Sequence, residues 1–301
     1  MPSATANGIQ IEYETFGTAG RPALLLIMGL GAQMIHWDEE LCEALVHRGH
    51  FVIRFDNRDI GLSSKLDHLG VPDAAAVLKA RLEDKPVEAP YTLSDMAADC
   101  AGLLDAIGIH AAHVAGASLG GMVAQTLAIE HPARVLSLTS IMSSTGNRTL
   151  PAGTPAALGA LLSPMPGNRD EAMARAVRIF RAIGSPGFPF DEPRVRDRAA
   201  RAYERAFHPA GVARQLAAAL ASDSRTDKLR AVSCPALVIH GKDDPLVPVE
   251  AGIDTARAIP GADLLVVAGM GHDLPKPLWA RISDEIAGVA SRAEQSRAAI
   301  A

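Results

Sequence analysis

The sequence of 301 residues has few aromatic residues, no closely spaced cysteines and no excess of basic residues. Aromatic residues make up only 4% of the chain and the net charge is −5, so we expect no nucleic-acid partner. The three cysteines, Cys42, Cys100 and Cys234, lie far apart, which argues against a disulfide framework and against a zinc site. We interpret them as small core residues.

Long apolar runs are also missing. No run approaches the roughly 20 apolar residues that a membrane-spanning helix needs. The first residues show no basic segment followed by an apolar one, so we expect no signal peptide. These features together predict a cytoplasmic protein with no membrane span.

Short apolar runs alternate with stretches of helical periodicity. The runs predict strands at residues 9–16, 23–28, 51–55, 113–116, 135–142, 235–240 and 264–268. The stretches between and after them predict helices at residues 38–48, 93–107, 122–131, 250–259 and 277–293. This alternation predicts an α/β fold, with a mostly parallel twisted sheet flanked by helices.

Residues 146–230 interrupt this alternation, because they contain no strand-like run. Three helical stripes of apolar residues begin at Met173, Val195 and Val212. We therefore predict a core formed by residues 1–145 and 231–301, with an all-helical cap at residues 146–230. The last eight residues, from Glu294 to Ala301, are expected to be frayed.

The strongest local motif is Gly116-Ala117-Ser118-Leu119-Gly120, which has the form G-x-S-x-G. It follows a predicted strand and opens a predicted helix, as in the sharp turn that exposes a nucleophilic serine. The alternative is a glycine-rich turn with a passive Ser118. A serine needs a base, normally a histidine oriented by a carboxylate.

The candidates for base and carboxylate follow the last two strands. His272 lies in a glycine-rich loop after the last strand, at the sheet edge where catalytic groups gather. Asp243 and Asp244 follow the preceding strand, and both precede His272 in the chain. We choose Asp244, next to a turn proline, as the carboxylate. Asp243 is the alternative, and is otherwise interpreted as a turn cap. For the oxyanion we assign the backbone N–H groups of Leu119 and Leu30.

Six segments, in this order along the chain, make the sequence resemble the α/β-hydrolase superfamily, in its subgroup with a helical cap. These segments are Met28-Gly29-Leu30, residues 56–63 (DNRDIGLS), residues 116–121 (GASLGG), residues 241–244 (GKDD), Pro248 and residues 269–272 (GMGH). Asp59 stands where the family often has glycine, and Met28 replaces its usual histidine. Both departures are similar to aclacinomycin methylesterase-like members, which hydrolyse a carboxylic ester. We interpret Arg58 and Asp59 as a structural loop pair.

The resemblance implies an α/β-hydrolase fold with a Ser118–His272–Asp244 triad that cleaves a small-to-medium carboxylic ester through an acyl-enzyme. It implies no metal or organic cofactor. A lactonase, a cofactor-free perhydrolase, a carbon–carbon bond hydrolase and a ligand receptor on this fold are the alternatives. We expect a substrate pocket between sheet and cap, lined by Gly29, Met142, Met165 and Met173, and a small-molecule partner; a homo-oligomer is possible.

Overall fold

A computed structural model describes residues 2–83 and 85–299. The described residues form one eight-stranded sheet in the order β1-β2-β4-β3-β5-β6-β7-β8. Strands β1, β2 and β4 pair antiparallel, and all the other neighbours pair parallel, which confirms the predicted fold class. The strands are β1 (Ser3–Ala6), β2 (Ile9–Phe16), β3 (Ala23–Ile27), β4 (Phe51–Phe55), β5 (Ala112–Ala117), β6 (Val135–Ile141), β7 (Ala236–Gly241) and β8 (Asp263–Val267).

Helices cover both faces of this sheet. The helices of the core are α1 (Glu39–Val46), α2 (Ala74–Leu82), α3 (Leu93–Ala106), α4 (Leu119–Glu130), α10 (Val249–Ala258) and α11 (Trp279–Ala298). Every residue of 146–230 is described, and this stretch holds no strand but five helices: α5 (Pro155–Leu161), α6 (Arg169–Ile183), α7 (Glu192–Arg205), α8 (Pro209–Ala221) and α9 (Thr226–Leu229). This stretch, called the cap below, lies between β6 and β7 in the chain.

Strand β3 explains how the core is divided. All five of its residues are buried, and successive side chains point to opposite faces of the sheet. Leu25 packs in the cluster formed with α3 and α4, whereas Leu24 packs in the cluster formed with α1 and α11. Each fully buried leucine contributes roughly 1.5–3 kcal/mol by leaving water, so the unbroken apolar run is the sequence signature of a strand covered on both sides.

The structure differs from the prediction in several local details. Strand β1 and helix α2 were not predicted. Strand β1 was missed because Ser3–Ala6 has little apolar character and forms a strand by pairing with β2. Helix α4 begins at Leu119 rather than at residue 122, directly after the turn at Ser118. The expected fraying from Glu294 is wrong up to Ala298, since α11 continues to that residue and the Glu294 carboxylate lies 3.4 Å from His113. Residues 300 and 301, the end of that prediction, lie outside the described residues.

Candidate active site

The chain turns sharply at Ser118, in the strained strand-to-helix conformation typical of a nucleophilic serine. Ser118 lies between β5 and α4 with φ +55° and ψ −120°, a left-handed conformation that costs free energy for any residue except glycine. A Cβ atom on Gly116 would lie 2.1 Å from the carbonyl oxygen of Gly120. A Cβ atom on Gly120 would lie 2.1 Å from the carbonyl oxygen of Ile27. The glycines of the motif are therefore what allows the turn to close.

Ser118, His272 and Asp244 are joined by hydrogen bonds. The Nε2 atom of His272 lies 3.0 Å from Oγ of Ser118, and its Nδ1 atom lies 2.7 Å from Oδ2 of Asp244. A carboxylate accepts from N–H at Nδ1, which leaves the lone pair of Nε2 facing the serine hydroxyl. Asp244 is held in turn, because its Oδ1 accepts from the N–H groups of Leu246 and Val247, each at 2.9 Å.

The two neighbouring aspartates have different partners. Oδ2 of Asp243 accepts a hydrogen bond of 2.7 Å from the N–H of Gly269, so Asp243 supports the loop that carries His272. A second histidine, His240, approaches Asp244 to 3.7 Å, but its Nε2 lies 2.8 Å from the carbonyl oxygen of Val247. Burial lowers the pKa of His240, so it stays neutral near pH 7 and leaves Asp244 to His272.

The loop after β3 packs directly against the serine. A Cβ atom on Gly29 would lie 3.2 Å from Cβ of Ser118, which is a tight contact, so a side chain at this point would crowd the serine. Leu30 follows in the same loop and lines the cavity, while Leu119 is the first residue of α4. Gln215 of the cap fixes the loop by accepting from the N–H of Gly31 at 2.9 Å. The two residues predicted to supply oxyanion N–H groups thus lie in the loop that packs against Ser118 and at the start of the helix that follows it.

The loop of His272 is attached to the cap by its backbone. The N–H of His272 donates to the carbonyl oxygen of Ile183 at 2.7 Å, and the N–H of Gly187 donates to that of Gly269 at 2.9 Å. Oγ of Ser185 accepts from the N–H of Gly271 at 2.9 Å and donates to the carboxylate of Asp273. Sequence reasoning did not find this attachment, because Ser185 lies far from His272 in the chain.

Glycines explain why the cap can approach the histidine loop so closely. A Cβ atom on Gly271 would lie 2.3 Å from the carbonyl oxygen of Gly184, and one on Gly187 would lie 2.6 Å from Cα of Gly269. Two backbones therefore touch here with no side chain between them. The glycines around His272 serve the contact with the cap as well as the turn of the loop.

Three charged residues of the loop after β4 bind partners elsewhere in the fold, and Arg58 and Asp59 have the structural role predicted for them. Arg58 binds Asp99 of α3 through Nε at 2.6 Å and Nη2 at 2.7 Å. Asp59 instead binds Arg214 of α8, and Asp56 binds Arg205 of α7 at 2.6 Å. The adjacent side chains of Arg58 and Asp59 point in different directions, one to α3 and one to α8 of the cap.

A cavity of about 920 Å³ lies between the sheet and the cap, and the catalytic candidates line part of its wall. Ser118 and His272 line it, together with Gly29, Met142 and Met165 of the predicted pocket. The predicted Met173 is not among the lining residues; its sulfur lies 3.9 Å from Nη1 of Arg169. Helix α6 turns about 100° per residue, so Met173 lies roughly a quarter-turn from the lining stripe of Ala172, Ala176, Ile179 and Ile183.

Two further observations concern other kinds of site. Among residues 2–83 and 85–299, no group of three or more histidine, cysteine or acidic side chains is arranged to hold a metal ion. None of the described helices is long and apolar enough to cross a membrane.

Known proteins are similar to this chain in sequence and in fold. Residues 22–275 match the family described as alpha/beta hydrolase fold. The chain is 32% identical to rhodomycin D methylesterase of Streptomyces peucetius, over 92% of this chain and 95% of that protein. It is 30% identical to 3-oxoadipate enol-lactonase 2 of Acinetobacter baylyi, over 82% of this chain and 81% of that protein.

The fold is also similar to that of the enol-lactonase from Burkholderia xenovorans LB400. The TM-score is 0.73 at 20% identity, and the match covers 96% of this chain and 100% of that one. The resemblance inferred from six short segments is thereby confirmed. The chain belongs to the α/β-hydrolase family.

Proposed function

We propose that this protein is a serine hydrolase that cleaves a small-to-medium carboxylic ester. The observation that carries the proposal is the hydrogen-bonded series Asp244–His272–Ser118, which ends at a serine hydroxyl in the wall of a large cavity. A serine is a weak nucleophile until a base accepts its proton, and His272 is within hydrogen-bond reach of that proton. No metal or organic cofactor is required by this chemistry.

The proposed reaction has two halves. Oγ of Ser118 bonds to the ester carbonyl carbon as its proton passes to Nε2 of His272, and the carbonyl electron pair moves to the oxygen. The N–H groups of Leu30 and Leu119 donate to this oxyanion. When the carbonyl reforms, the bond to the alcohol oxygen breaks, and His272 gives that oxygen its proton. Water then attacks the acyl-enzyme in the same way and releases the acid and free Ser118.

The relatives support a carboxylic ester as the substrate class. One of them is named for removing a methyl ester from rhodomycin D, and the alignment spans nearly the whole of both chains. The cavity of about 920 Å³ is large enough for a drug-sized molecule. We infer that the acyl or alcohol part of the ester occupies the space beneath the cap.

A lactone is the second candidate substrate. The enol-lactonase relative, which is 30% identical, favours it, and opening a cyclic ester needs the same serine, base and oxyanion donors. In that reaction the alcohol remains part of the acyl group, so water releases a single hydroxy acid from Ser118. Turnover of linear esters against lactones of matched size distinguishes the two substrates.

The test is a p-nitrophenyl ester series, from acetate to palmitate, with Ser118→Ala and an exposed control, Ser296→Ala. We expect Ser118→Ala to lose at least about 10³-fold in kcat, as when a serine nucleophile is removed elsewhere. Ser296→Ala is expected to match the wild type, because that hydroxyl is exposed and donates to the carbonyl oxygen of Arg292 in its own helix. Full esterase activity in Ser118→Ala would refute the proposal. Labelling of Ser118 by a fluorophosphonate, read by mass spectrometry, tests directly whether Ser118 is the reactive nucleophile.

A further inference from the structure

The cap places one arginine in the wall of the cavity without a close acceptor. Arg198 of α7 lines the cavity together with Ser118 and His272, and its side chain is only 13% exposed. A guanidinium carries five N–H donors, and a buried one is stable only when acceptors surround it. Burial accordingly lowers the pKa of Arg198.

The carboxylate nearest to Arg198 is already engaged. Asp38 lies 3.5 Å from Nη1 of Arg198, at the limit of a hydrogen bond. Both oxygens of Asp38 accept from Arg194, through Nε at 3.1 Å and through Nη2, and Arg194 also stacks on Trp279. Within the described part of the chain, Asp38 is the one carboxylate paired with Arg198.

Other polar groups on the cavity wall have hydrogen-bond or ion-pair partners of their own. Asp273 attracts Arg198 through space without an ion pair, and its carboxylate accepts from Ser185. His36 is neutral, because burial, with Arg198 beside it, lowers its pKa to about 3. Lys276 pairs with Glu40 at 2.5 Å.

An aromatic ring orients the guanidinium of Arg198 in the cavity wall. This guanidinium lies 5.1 Å above the ring of Phe180, which holds the fork in one orientation through a cation–π contact. A carboxylate matches that fork with two parallel hydrogen bonds, and such bonds are strong where water is excluded.

We propose that Arg198 binds a carboxylate carried by the substrate, so that the preferred esters are half esters of dicarboxylic acids or esters with an equivalent free acid. This rests on the proposed function, because the carboxylate is recognised in the same cavity that exposes Ser118. Arg198 sets specificity and takes no part in bond making, while Ser118 cleaves the other, esterified end.

The test compares monomethyl esters of dicarboxylic acids, from succinate to suberate, with methyl esters of straight-chain acids of the same length. In the wild type we expect kcat/KM to favour the half ester at one or more lengths. In Arg198→Met this preference falls by about 10- to 100-fold, mainly through KM, as when a charged hydrogen bond is lost. Arg198→Lys retains part of it. If Arg198 had only a structural role, Arg198→Met would lower kcat/KM for both kinds of ester by the same factor.

Arg196→Met is the matched control, since Arg196 lies on the same helix but is exposed and paired with Glu192. It should keep the wild-type preference. The proposal is overturned if wild type favours half esters at no length, or if Arg198→Met keeps the preference.

A binding measurement separates this proposal from the failure of the proposed function. Monomethyl adipate is titrated calorimetrically into Ser118→Ala protein with and without Arg198→Met. Binding that weakens about 10-fold or more on loss of Arg198 supports the carboxylate site even if no ester is turned over. Equal binding to both proteins overturns it.

Discussion

Asp59 and Arg214 form an ion pair that is completely buried between the core and the cap. Nε of Arg214 lies 2.8 Å from Oδ2 of Asp59, Nη2 lies 2.7 Å from Oδ1, and both side chains are 0% exposed. Asp59 has φ +70°, in the region that favours glycine. Burial acts to raise the pKa of Asp59, but hydrogen bonds from Arg214 and from the N–H of Leu66 lower it overall. The carboxylate at this position therefore anchors α8 to the core.

Removing one partner of this pair should destabilise the protein strongly. Arg214→Met leaves the charge of Asp59 buried and unpaired, and we expect a loss of about 3–5 kcal/mol in the free energy of unfolding. The measurement is equilibrium unfolding in urea followed by circular dichroism. Asp59→Asn combined with Arg214→Met should recover part of the loss, because no buried charge is left unpaired at position 59.

An exposed pair supplies the comparison. Arg48 binds Asp284 at 2.8 Å, but Asp284 is 69% exposed, so Arg48→Met should cost less than about 1 kcal/mol. If Arg48→Met and Arg214→Met lower the free energy of unfolding equally, burial does not make the Asp59–Arg214 pair the more important one.

Asp244→Asn should separate the two adjacent aspartates. An asparagine at 244 no longer fixes the N–H of His272 at Nδ1, and we expect kcat to fall by up to about 10⁴-fold, as for the corresponding change in a serine protease. Asp243→Asn keeps an oxygen for the N–H of Gly269 and should retain most activity. Ester turnover measured for both variants decides the assignment; an inactive Asp243→Asn beside an active Asp244→Asn would reverse it.

Ser185 is expected to position His272 although it does not touch the reacting atoms. Ser185→Ala leaves the N–H of Gly271 and the carboxyl of Asp273 without their shared partner, so the histidine loop should become less well held. We expect kcat to fall about 10-fold with little change in KM, because the interaction concerns the base rather than substrate binding.

Ser185→Thr is the rescue variant, since it keeps a hydroxyl at the same position. Its kcat should be close to that of the wild type, and both variants should unfold at similar temperatures. A parallel rise in KM, or no rescue by threonine, would show that the effect of Ser185→Ala comes from the cavity shape.

The sequence was most informative where the chemistry is local. Buried strands leave unbroken apolar runs such as Ala23–Ile27, and the sharp turn at Ser118 leaves glycines at fixed spacing. Both features depend on neighbours in the chain, so they were predicted without knowledge of the fold. The same holds for the order of Ser118, Asp244 and His272, which the structure brings together while their catalytic roles stay a prediction.

Contacts between distant segments could not be predicted in the same way. Nothing in the arginine-rich sequence around Arg214 indicates that α8 places this residue beside Asp59. Ser185 contacts Gly271 because the backbones of the cap and the histidine loop approach closely at glycines. Met173 was predicted to line the cavity and does not. Helical spacing identifies the residues of an apolar stripe but not which of them face the cavity. The cap is therefore where tertiary contacts decide what the sequence pattern leaves open.

A buried histidine pair far from Ser118 should make stability depend on pH. His113 and His50 are 1% and 6% exposed, and their rings meet edge to face with centroids 5.7 Å apart. Burial, and then His50, lowers the pKa of His113 to about 4 from 6.5, so the native imidazole stays neutral where the unfolded one is protonated. The free energy of unfolding should fall as the pH drops from about 6.5 to about 4, by up to about 1.4 kcal/mol per pH unit for each such group. His113→Asn should flatten this slope in urea titrations at several pH values, because the side chain no longer binds a proton. An unchanged slope would mean that other groups cause the loss of stability in acid.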